Sequence, residues 1–370
     1  MSKTIFRVLK LSAALAALSV AQFAAAATTT NDFATRCAAA GVLKCVSFDT
    51  DADFSQGAGG NQGAWGSRFG EIPRYGTNDY SKMSRDTSVS ADGASSLRFT
   101  IPASSGSDIA GSWFTNFTDD LSYQVGEGQE IFVQWRQRFS PELLNTQYAG
   151  VGGGLANGWK LADISAGDLS SCSTSGANST VCPTTCWDFE TVIQDTNQHN
   201  LPQVYTNCAG QYPYIPLNGA TSNITVQNGV GCLYPNYPSP PCVTFSANEW
   251  MTFQIHIKVG HWNQWDSTIQ LYVAHDGQPS QLVIDCSPTA ANPCSNFVDG
   301  SAKNGWFLDN SDPTYKIGKV WLLPYHTNKD PTQVTPVAYT WYDDVIISKT
   351  KIADPTAAPR PNPPTGVTVK

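Results

Sequence analysis

Residues 131–139 read IFVQWRQRF and residues 251–259 read MTFQIHIKV, and these two stretches carry the clearest structural signal in the chain. In the second stretch apolar residues recur at every second position, and in the first they do so except at Gln137. Successive side chains of a β-strand point to opposite faces, so each stretch predicts a strand with one buried face and one polar face. In the second stretch Met251, Phe253 and Ile255 fall on the buried side.

The rest of the chain carries the same kind of signal. Thirty glycines and 23 prolines break it into short runs, and no long stretch shows the 3.6-residue period of a helix. Further strands are predicted at 95–101, 187–194, 268–275, 315–323 and 339–348. Many antiparallel strands in one domain predict an all-β fold, namely a two-sheet antiparallel jelly-roll sandwich with disulfide-stapled loops.

The N-terminus has the layout of a secretory signal peptide. Lys3, Arg7 and Lys10 precede an apolar run that ends in four alanines. We therefore predict a signal peptide at 1–26, a single sandwich domain at 27–353 and a Pro-rich tail or linker at 354–370. The expected location is secreted, either extracellular or periplasmic.

All ten cysteines follow the predicted signal peptide, an even number that suits an oxidising compartment. Zinc is the alternative, but Cys182 and Cys186 have no matching Cys/His pair at finger spacing. Short separations favour five disulfides: Cys37–Cys45, Cys172–Cys182, Cys186–Cys208, Cys232–Cys242 and Cys286–Cys294.

Charge narrows the range of partners. Removing residues 1–26 takes away three basic and no acidic residues, so the net charge falls from −8 to −11. An acidic exported protein is a poor nucleic-acid binder. No later segment approaches the ~20 apolar residues of a membrane helix, so we expect no membrane insertion. An anionic substrate would require a locally basic groove.

Three segments carry a family resemblance. The closing run WYDDVIIS (residues 341–348), the strand QIHIK (254–258) and the stretch from Glu190 to Tyr205 resemble concanavalin A-like sandwiches, in particular polysaccharide lyase-like proteins. The triplet Gln254-Ile255-His256 matches a strand of the alginate lyase branch, in which the Gln and His lie in the cleft. The resemblance implies a secreted protein that acts on a carbohydrate polymer.

A lyase abstracts the proton beside a uronate carboxylate, which requires a cationic or hydrogen-bonding group for the carboxylate and a His or Tyr base. Alternation along the strands puts the polar residues of 131–139 and 251–259 on one face of each strand. We therefore predict a catalytic group of His256, Tyr205, Arg136 and Gln254, with substrate bound by Arg138, Lys258, Gln134, Glu190, Gln194, Trp262, Trp265 and Tyr325.

Two other activities stay open. Glu190 shares a strand face with Asp188 and Gln194, and paired carboxylates suit a laminarinase-like glycoside hydrolase. Trp262 and Trp265 lie in one loop, where an indole can stack on a sugar ring, which also fits a non-catalytic lectin. Tyr205, Tyr325 and His326 are candidate proton-transfer groups.

No cofactor is predicted, although calcium is possible and the metal ligands are unknown. Asp343 and Asp344 are adjacent carboxylates that could bind calcium with loop carbonyls. As strand neighbours, they are expected to face opposite ways. The sequence favours a polysaccharide lyase that cleaves an anionic, uronate-containing polymer by β-elimination.

Overall fold

The computed structural model describes residues 32–55, 83–106, 111, 113–154, 158–166, 186–194, 201–208, 214–216, 223–224, 226–227, 230–231, 242–291, 295–297, 302–308, 316–326 and 328–356. For residues 165–166, 186–194, 203, 205–208, 295–297, 302–303 and the described residues of 214–231, the structure describes the backbone alone. All the described residues belong to one compact unit, residues 31–370. The predicted signal peptide and residues 357–370 lie outside the described residues.

Strands dominate the described residues, with three short helices: α1 (Asp32–Cys37), α2 (Asp51–Ser55) and α3 (Pro141–Asn145). The strands are β1 (Val42–Val46), β2 (Met83–Asp86), β3 (Ser96–Ile101), β4 (Trp113–Asn116), β5 (Glu130–Phe139), β6 (Trp159–Ala166), β7 (Cys186–Gln194), β8 (Leu201–Cys208), β9 (Tyr214–Pro216), β10 (Asn223–Ile224), β11 (Val226–Gln227), β12 (Val230–Gly231), β13 (Trp250–Lys258), β14 (Thr268–Ala274), β15 (Gln281–Cys286), β16 (Ser295–Phe297), β17 (Ala302–Lys303), β18 (Ile317–Leu322) and β19 (Ala338–Ser348). No helix among the described residues has the length and apolar character needed to cross a membrane.

Two antiparallel sheets form the framework. An eight-stranded sheet has the order β15-β14-β13-β5-β19-β3-β2, with β1 also paired to β19. A six-stranded sheet has the order β10-β8-β7-β6-β18-β4. Two small sheets, β11-β12 and β17-β16-β9, accompany them. The predicted all-β, two-sheet jelly-roll sandwich is confirmed.

The core lies between the two large sheets, as strand alternation predicts. Trp135 and Phe253 are register partners on β5 and β13. Their rings stack with the ring centres 5.5 Å apart, in a cluster of buried apolar residues. Ile164 and Val320, on β6 and β18, join that cluster from the six-stranded sheet. Burial of this apolar surface is the main stabilising contribution to the fold.

A second layer covers the outer face of the eight-stranded sheet. It consists of α1 and residues 349–356, and we call it the outer layer. Phe33 of α1 and Ile352 pack against Phe132 and Ile346 in a separate apolar cluster. The layer includes Asp354, which accepts a hydrogen bond from the backbone N of Ser280 at 2.9 Å, so the start of the predicted tail contacts the domain.

A bulge in β19 turns Asp343 and Asp344 to the same side of the sheet, so the expectation that they face opposite ways is wrong. The register shifts after Asp343, and Asp344 has a positive φ of 51°. The extra residue of a bulge breaks the alternation of the strand. Asp343 accepts from the backbone N of Ala91 at 2.8 Å, and Asp344 pairs with Arg36 at 3.0 Å.

The predicted disulfide Cys37–Cys45 is present and ties α1 to β1. Cys242 and Cys286 are also disulfide-bonded, and no cysteine with a described side chain is a free thiol. Cys186 and Cys208 are register partners on β7 and β8. The other predicted partners, Cys172, Cys182, Cys232 and Cys294, lie outside the described residues.

Replacing Cys37 and Cys45 together with serine is expected to lower the free energy of unfolding by about 2–3 kcal/mol, because the cross-link restricts the unfolded chain over a short loop. Urea unfolding of the variant and the wild type at one pH measures the difference. Equal unfolding midpoints and slopes would show that this disulfide contributes nothing to stability.

Candidate active site

Six predicted site residues lie together on the outer face of the eight-stranded sheet. Gln134 and Gln254 are register partners on β5 and β13, and their neighbours in sequence point into the core. The others on this face are Arg136, Arg138, His256 and Lys258. The prediction that alternation places these side chains on one surface is confirmed, whereas their catalytic and binding roles stay predictions.

The two glutamines of this face are engaged by the outer layer. Gln254 donates to the carbonyl of Ile352 at 3.3 Å and accepts from its backbone N at 2.9 Å. Gln134 accepts from the Arg36 guanidinium at 2.6 Å and donates to the carbonyl of Ala353 at 3.1 Å. Both side chains are buried, so they serve here to hold α1 and residues 349–356 on the sheet.

The two predicted arginines are also packed. Arg136 is buried and donates to the Asp276 carboxylate at 2.6 Å and to the carbonyl of Ala91 at 3.2 Å. Its guanidinium lies 6.0 Å from the ring centre of Trp250, and that of Arg138 lies 6.0 Å from Trp341. Arg136 therefore already neutralises a carboxylate of this chain.

His256 contacts acceptors at both ring nitrogens. Nε2 lies 2.8 Å from a carboxylate oxygen of Glu130, and Nδ1 lies 2.9 Å from Oε1 of Gln270. The Gln270 amide orientation follows from its Nε2, which donates to Asp285 at 2.9 Å. Both bonds of His256 are complete only when both nitrogens carry protons. A general base needs an unprotonated nitrogen facing the substrate, so that role would require one of these bonds to break.

The two tryptophans of the 260–266 loop pack toward the core. Trp262 is buried in the core cluster, and Trp265 packs against that cluster with its ring 5.6 Å from Phe307. Their predicted role as sugar platforms stays a prediction. Lys258 is exposed at the end of β13.

The remaining predicted residues lie with the six-stranded sheet. Tyr205 of β8 is the register partner of Glu190 on β7, and Glu190 is the partner of Asp163 on β6. Gln194 closes β7 opposite Leu201. Tyr325 follows β18, and its ring lies 5.2 Å from the Lys160 ammonium.

The four residues predicted as one catalytic group therefore do not meet. Tyr205 belongs to the six-stranded sheet, whereas His256, Arg136 and Gln254 belong to the eight-stranded sheet. Alternation along a strand indicates which residues share a face of that strand, but it does not indicate which strands share a sheet. The β5 and β13 residues share one face as predicted, whereas Tyr205 belongs to the other sheet.

The outer face of the six-stranded sheet holds charged residues that the sequence reasoning missed. Asp163 and Lys319 are buried, although they alternate with residues that point into the core. Trp321 is the register partner of Asp163 on one side and of Phe114 on the other. The Lys319 ammonium lies 5.3 Å from the ring centre of Phe114.

The sequence contains a signal that could have identified Lys319 as a candidate. Lys319 interrupts an otherwise apolar strand, and a buried charge inside such a strand indicates a functional or paired position. The face thus combines a lysine, two carboxylate-bearing positions, a tyrosine position and two aromatic side chains. Residue types of this kind suit recognition of an acidic sugar and proton transfer.

No cluster of three or more His, Cys, Asp or Glu residues is placed to hold a metal ion in the part of the chain that the structure describes. Asp343 and Asp344, the predicted calcium ligands, have other partners. Asp343 accepts from the backbone N of Ala91, and Asp344 pairs with Arg36. Burial and the Asp344 charge raise the pKa of Asp343 well above its usual range.

No protein-family model matches this chain, and no curated protein matches it. Solved structures with a similar fold exist. The alginate lyase Aly36B is 15% identical with a TM-score of 0.44, over 84% of this chain and 98% of that one. The endo-β-1,4-glucuronan lyase from the fungus Trichoderma reesei is 14% identical with a TM-score of 0.37, over 72% of this chain and 87% of that one.

A glycoside hydrolase is also among the similar structures. The catalytic domain of a glycoside hydrolase family 131 protein from Coprinopsis cinerea is 12% identical with a TM-score of 0.34, over 85% of this chain and 98% of that one. Fold alone does not define an activity. We therefore base the proposed function on the side chains of this chain.

Proposed function

We propose that this protein is a secreted polysaccharide lyase that cleaves a uronate-containing polymer at the outer face of the six-stranded sheet. One observation carries the proposal. The register of β6, β7 and β8 aligns Asp163, Glu190 and Tyr205 in a row across three strands, and Lys319 lies on the same face two residues along β18 from Trp321, which is the partner of Asp163.

The residue types fit β-elimination. The positive charge of Lys319 is buried in this face, and it favours the negative charge that develops on a uronate, which makes the C5 proton more acidic and stabilises the enolate-like transition state. Tyr205 accepts the C5 proton, the C4–O bond breaks, and a C4=C5 double bond forms. The leaving oxygen takes that proton back from Tyr205, which therefore begins and ends the cycle deprotonated.

The test is incubation of the mature protein with glucuronan, alginate, pectin and heparin-type polymers. A lyase produces an unsaturated uronate that absorbs in the ultraviolet, and each new absorbing end is matched by one new reducing end. Binding to a polymer without either product would indicate a lectin. Absence of the unsaturated product with every uronate polymer would reject the lyase.

Hydrolysis is the second candidate, and one observation favours it. Asp163 and Glu190 are directly opposite on adjacent antiparallel strands, where Cβ atoms lie about 4.5–5.5 Å apart. Retaining glycosidases hold two carboxyl groups about 5–5.5 Å apart. Reducing ends released from a neutral β-glucan, without ultraviolet absorbance, would favour this activity over elimination.

A further inference from the structure

A row of alternating tryptophan and arginine side chains crosses the outer face of the eight-stranded sheet. Trp250 of β13 is the register partner of Arg138 on β5, and Arg138 is the partner of Trp341 on β19. Trp341 is in turn the partner of Arg98 on β3. Adjacent strands are about 4.8 Å apart, so the four residues form a line about 14 Å long. We call them the arginine–tryptophan row.

The row points away from the core and is accessible from solvent. The residues that flank its members along the strands belong to the core cluster, and they include Leu97, Phe99, Phe139, Met251 and Tyr342. Trp250 is largely covered. Arg98, Arg138 and Trp341 are partly exposed, and the side chain of Arg98 is 35% exposed. A molecule in solution can therefore reach most of the row.

The protein supplies too few acceptors for the donors of this face. Nε of Arg98, Arg136 and Arg138 has no hydrogen-bond partner, and neither has the hydroxyl of Ser84, the register partner of Arg98 on β2. Arg98 and Arg136 each pair with an aspartate. Arg138 forms no ion pair with a carboxylate in the described part of the chain. A partly exposed guanidinium without a carboxylate partner suits an anionic ligand.

Aromatic rings lie beside the guanidinium groups. Tyr339 is two residues from Trp341 on the same face of β19, with the two ring centres 5.8 Å apart, and the Arg98 guanidinium lies 5.7 Å from the Tyr339 ring centre. Both rings are partly exposed. Asp86 fixes this end of the row, since it accepts from Trp341 Nε1 at 2.9 Å and from Arg98 at 3.1 Å. Fixed, partly exposed rings can pack on the C–H surface of a sugar.

We propose that the arginine–tryptophan row is a second binding site, which holds a segment of a uronate-containing polysaccharide away from the proposed active site on the six-stranded sheet. Arg138 pairs with a uronate carboxylate, and Trp341 and Tyr339 pack on the neighbouring sugar rings. The charge is complementary, because the chain as a whole carries −8 while Arg138 has no carboxylate of its own. This binding does not depend on the lyase activity.

Arg138→Gln tests the proposal in a Tyr205→Phe background, in which the polymer stays intact. Affinity electrophoresis in gels that contain glucuronan measures the Kd. We expect Arg138→Gln to raise this Kd at least about 10-fold, the usual effect of losing a hydrogen bond to a charged group. The remaining affinity should depend less on salt. The Tm should stay within a few degrees of the background, because the substitution breaks no ion pair.

Arg85→Gln is the matched control. It makes the same change of charge on β2, but Arg85 bonds Ser95 and pairs with Asp51 and is not part of the row. We expect it to bind glucuronan as the background does. Tyr339→Ala is a second test, since it removes a ring and no charge. It should weaken the binding of glucuronan while leaving the salt dependence unchanged.

Three results would overturn the proposal. The first is equal affinity for glucuronan in Arg138→Gln and the background. The second is binding of polyglutamate as tight as that of glucuronan, since polyglutamate carries carboxylates and no sugar ring. The third is a dimer in solution that Arg138→Gln dissociates, without binding of glucuronan, which would make the row a contact between two copies of the chain.

The second site and the lyase activity fail separately. A lower kcat on a short glucuronate oligosaccharide in Arg138→Gln, with Tyr205 present, would overturn the second site and assign the row to the active site. Weaker binding of glucuronan by Arg138→Gln, with no unsaturated product from the wild type, would support the second site and reject elimination.

Discussion

Replacing Tyr205 with phenylalanine is expected to lower kcat for β-elimination by about 10²- to 10⁴-fold, the usual cost of losing a general base. The phenol oxygen acts only while the proton moves, so the KM and the affinity for polymer should change little. The measurement is the initial rate of absorbance increase on the best polymer, over a range of concentrations, with wild type and variant at the same pH.

His256→Gln distinguishes the two candidate surfaces. His256 lies on the other sheet and is held between Glu130 and Gln270, so we expect this variant to keep kcat within about 3-fold of the wild type, since its effect is on packing rather than on proton transfer. The opposite pattern, with activity lost in His256→Gln and kept in Tyr205→Phe, would place the active site on the eight-stranded sheet.

Replacing Arg36 with methionine is expected to lower the free energy of unfolding by about 3–5 kcal/mol, because it leaves a buried carboxylate without its partner. Arg36 is 5% exposed and bonds both Asp344 and Gln134. Its loss removes the guanidinium that is ion-paired with Asp344 and loosens α1. Urea unfolding at pH 8, followed by tryptophan fluorescence, gives the difference.

The decrease in the free energy of unfolding caused by Arg36→Met should depend on pH. Burial raises the pKa of Asp344 to about 6, although the Arg36 charge opposes the shift. Because the folded-state pKa is above the unfolded value, the stability linked to Asp344 is complete below about pH 4 and is lost as the pH rises through about 6. Without Arg36 this pKa rises further, so the deficit of the variant should grow between pH 5 and pH 8.

Two further variants test the cause. Asp51→Asn removes an exposed pair with Arg85 and should change stability by less than about 1 kcal/mol. Adding Asp344→Asn to Arg36→Met should recover part of the loss at pH 8, since the uncompensated charge is then gone. A double variant that is less stable by the sum of both losses would contradict the buried-charge explanation.

Much of the fold could be predicted from local pattern. The period-two alternation in 131–139 and 251–259 placed Trp135 and Phe253 in the core and their polar neighbours on the other face, and the structure agrees. The pair Cys37–Cys45 followed from short separation. These features depend on the geometry of one strand or one short loop, which sequence spacing determines directly.

Other features required the tertiary structure. Alternation could not show that Asp343 and Asp344 share a face, because a bulge with a left-handed residue interrupts it. It also could not show that the outer layer covers Gln134 and Gln254, since residues 349–356 are about 100 or more positions away along the chain.

From its sequence this chain could be recognised as all-β, with alternating strands and with side-chain types that suit an acidic sugar. Strand pairing in the folded protein places Tyr205 and His256 in different sheets and makes Trp321 the register partner of Asp163. A strand's faces follow from its own backbone, whereas its neighbours in a sheet depend on pairing between segments distant in sequence.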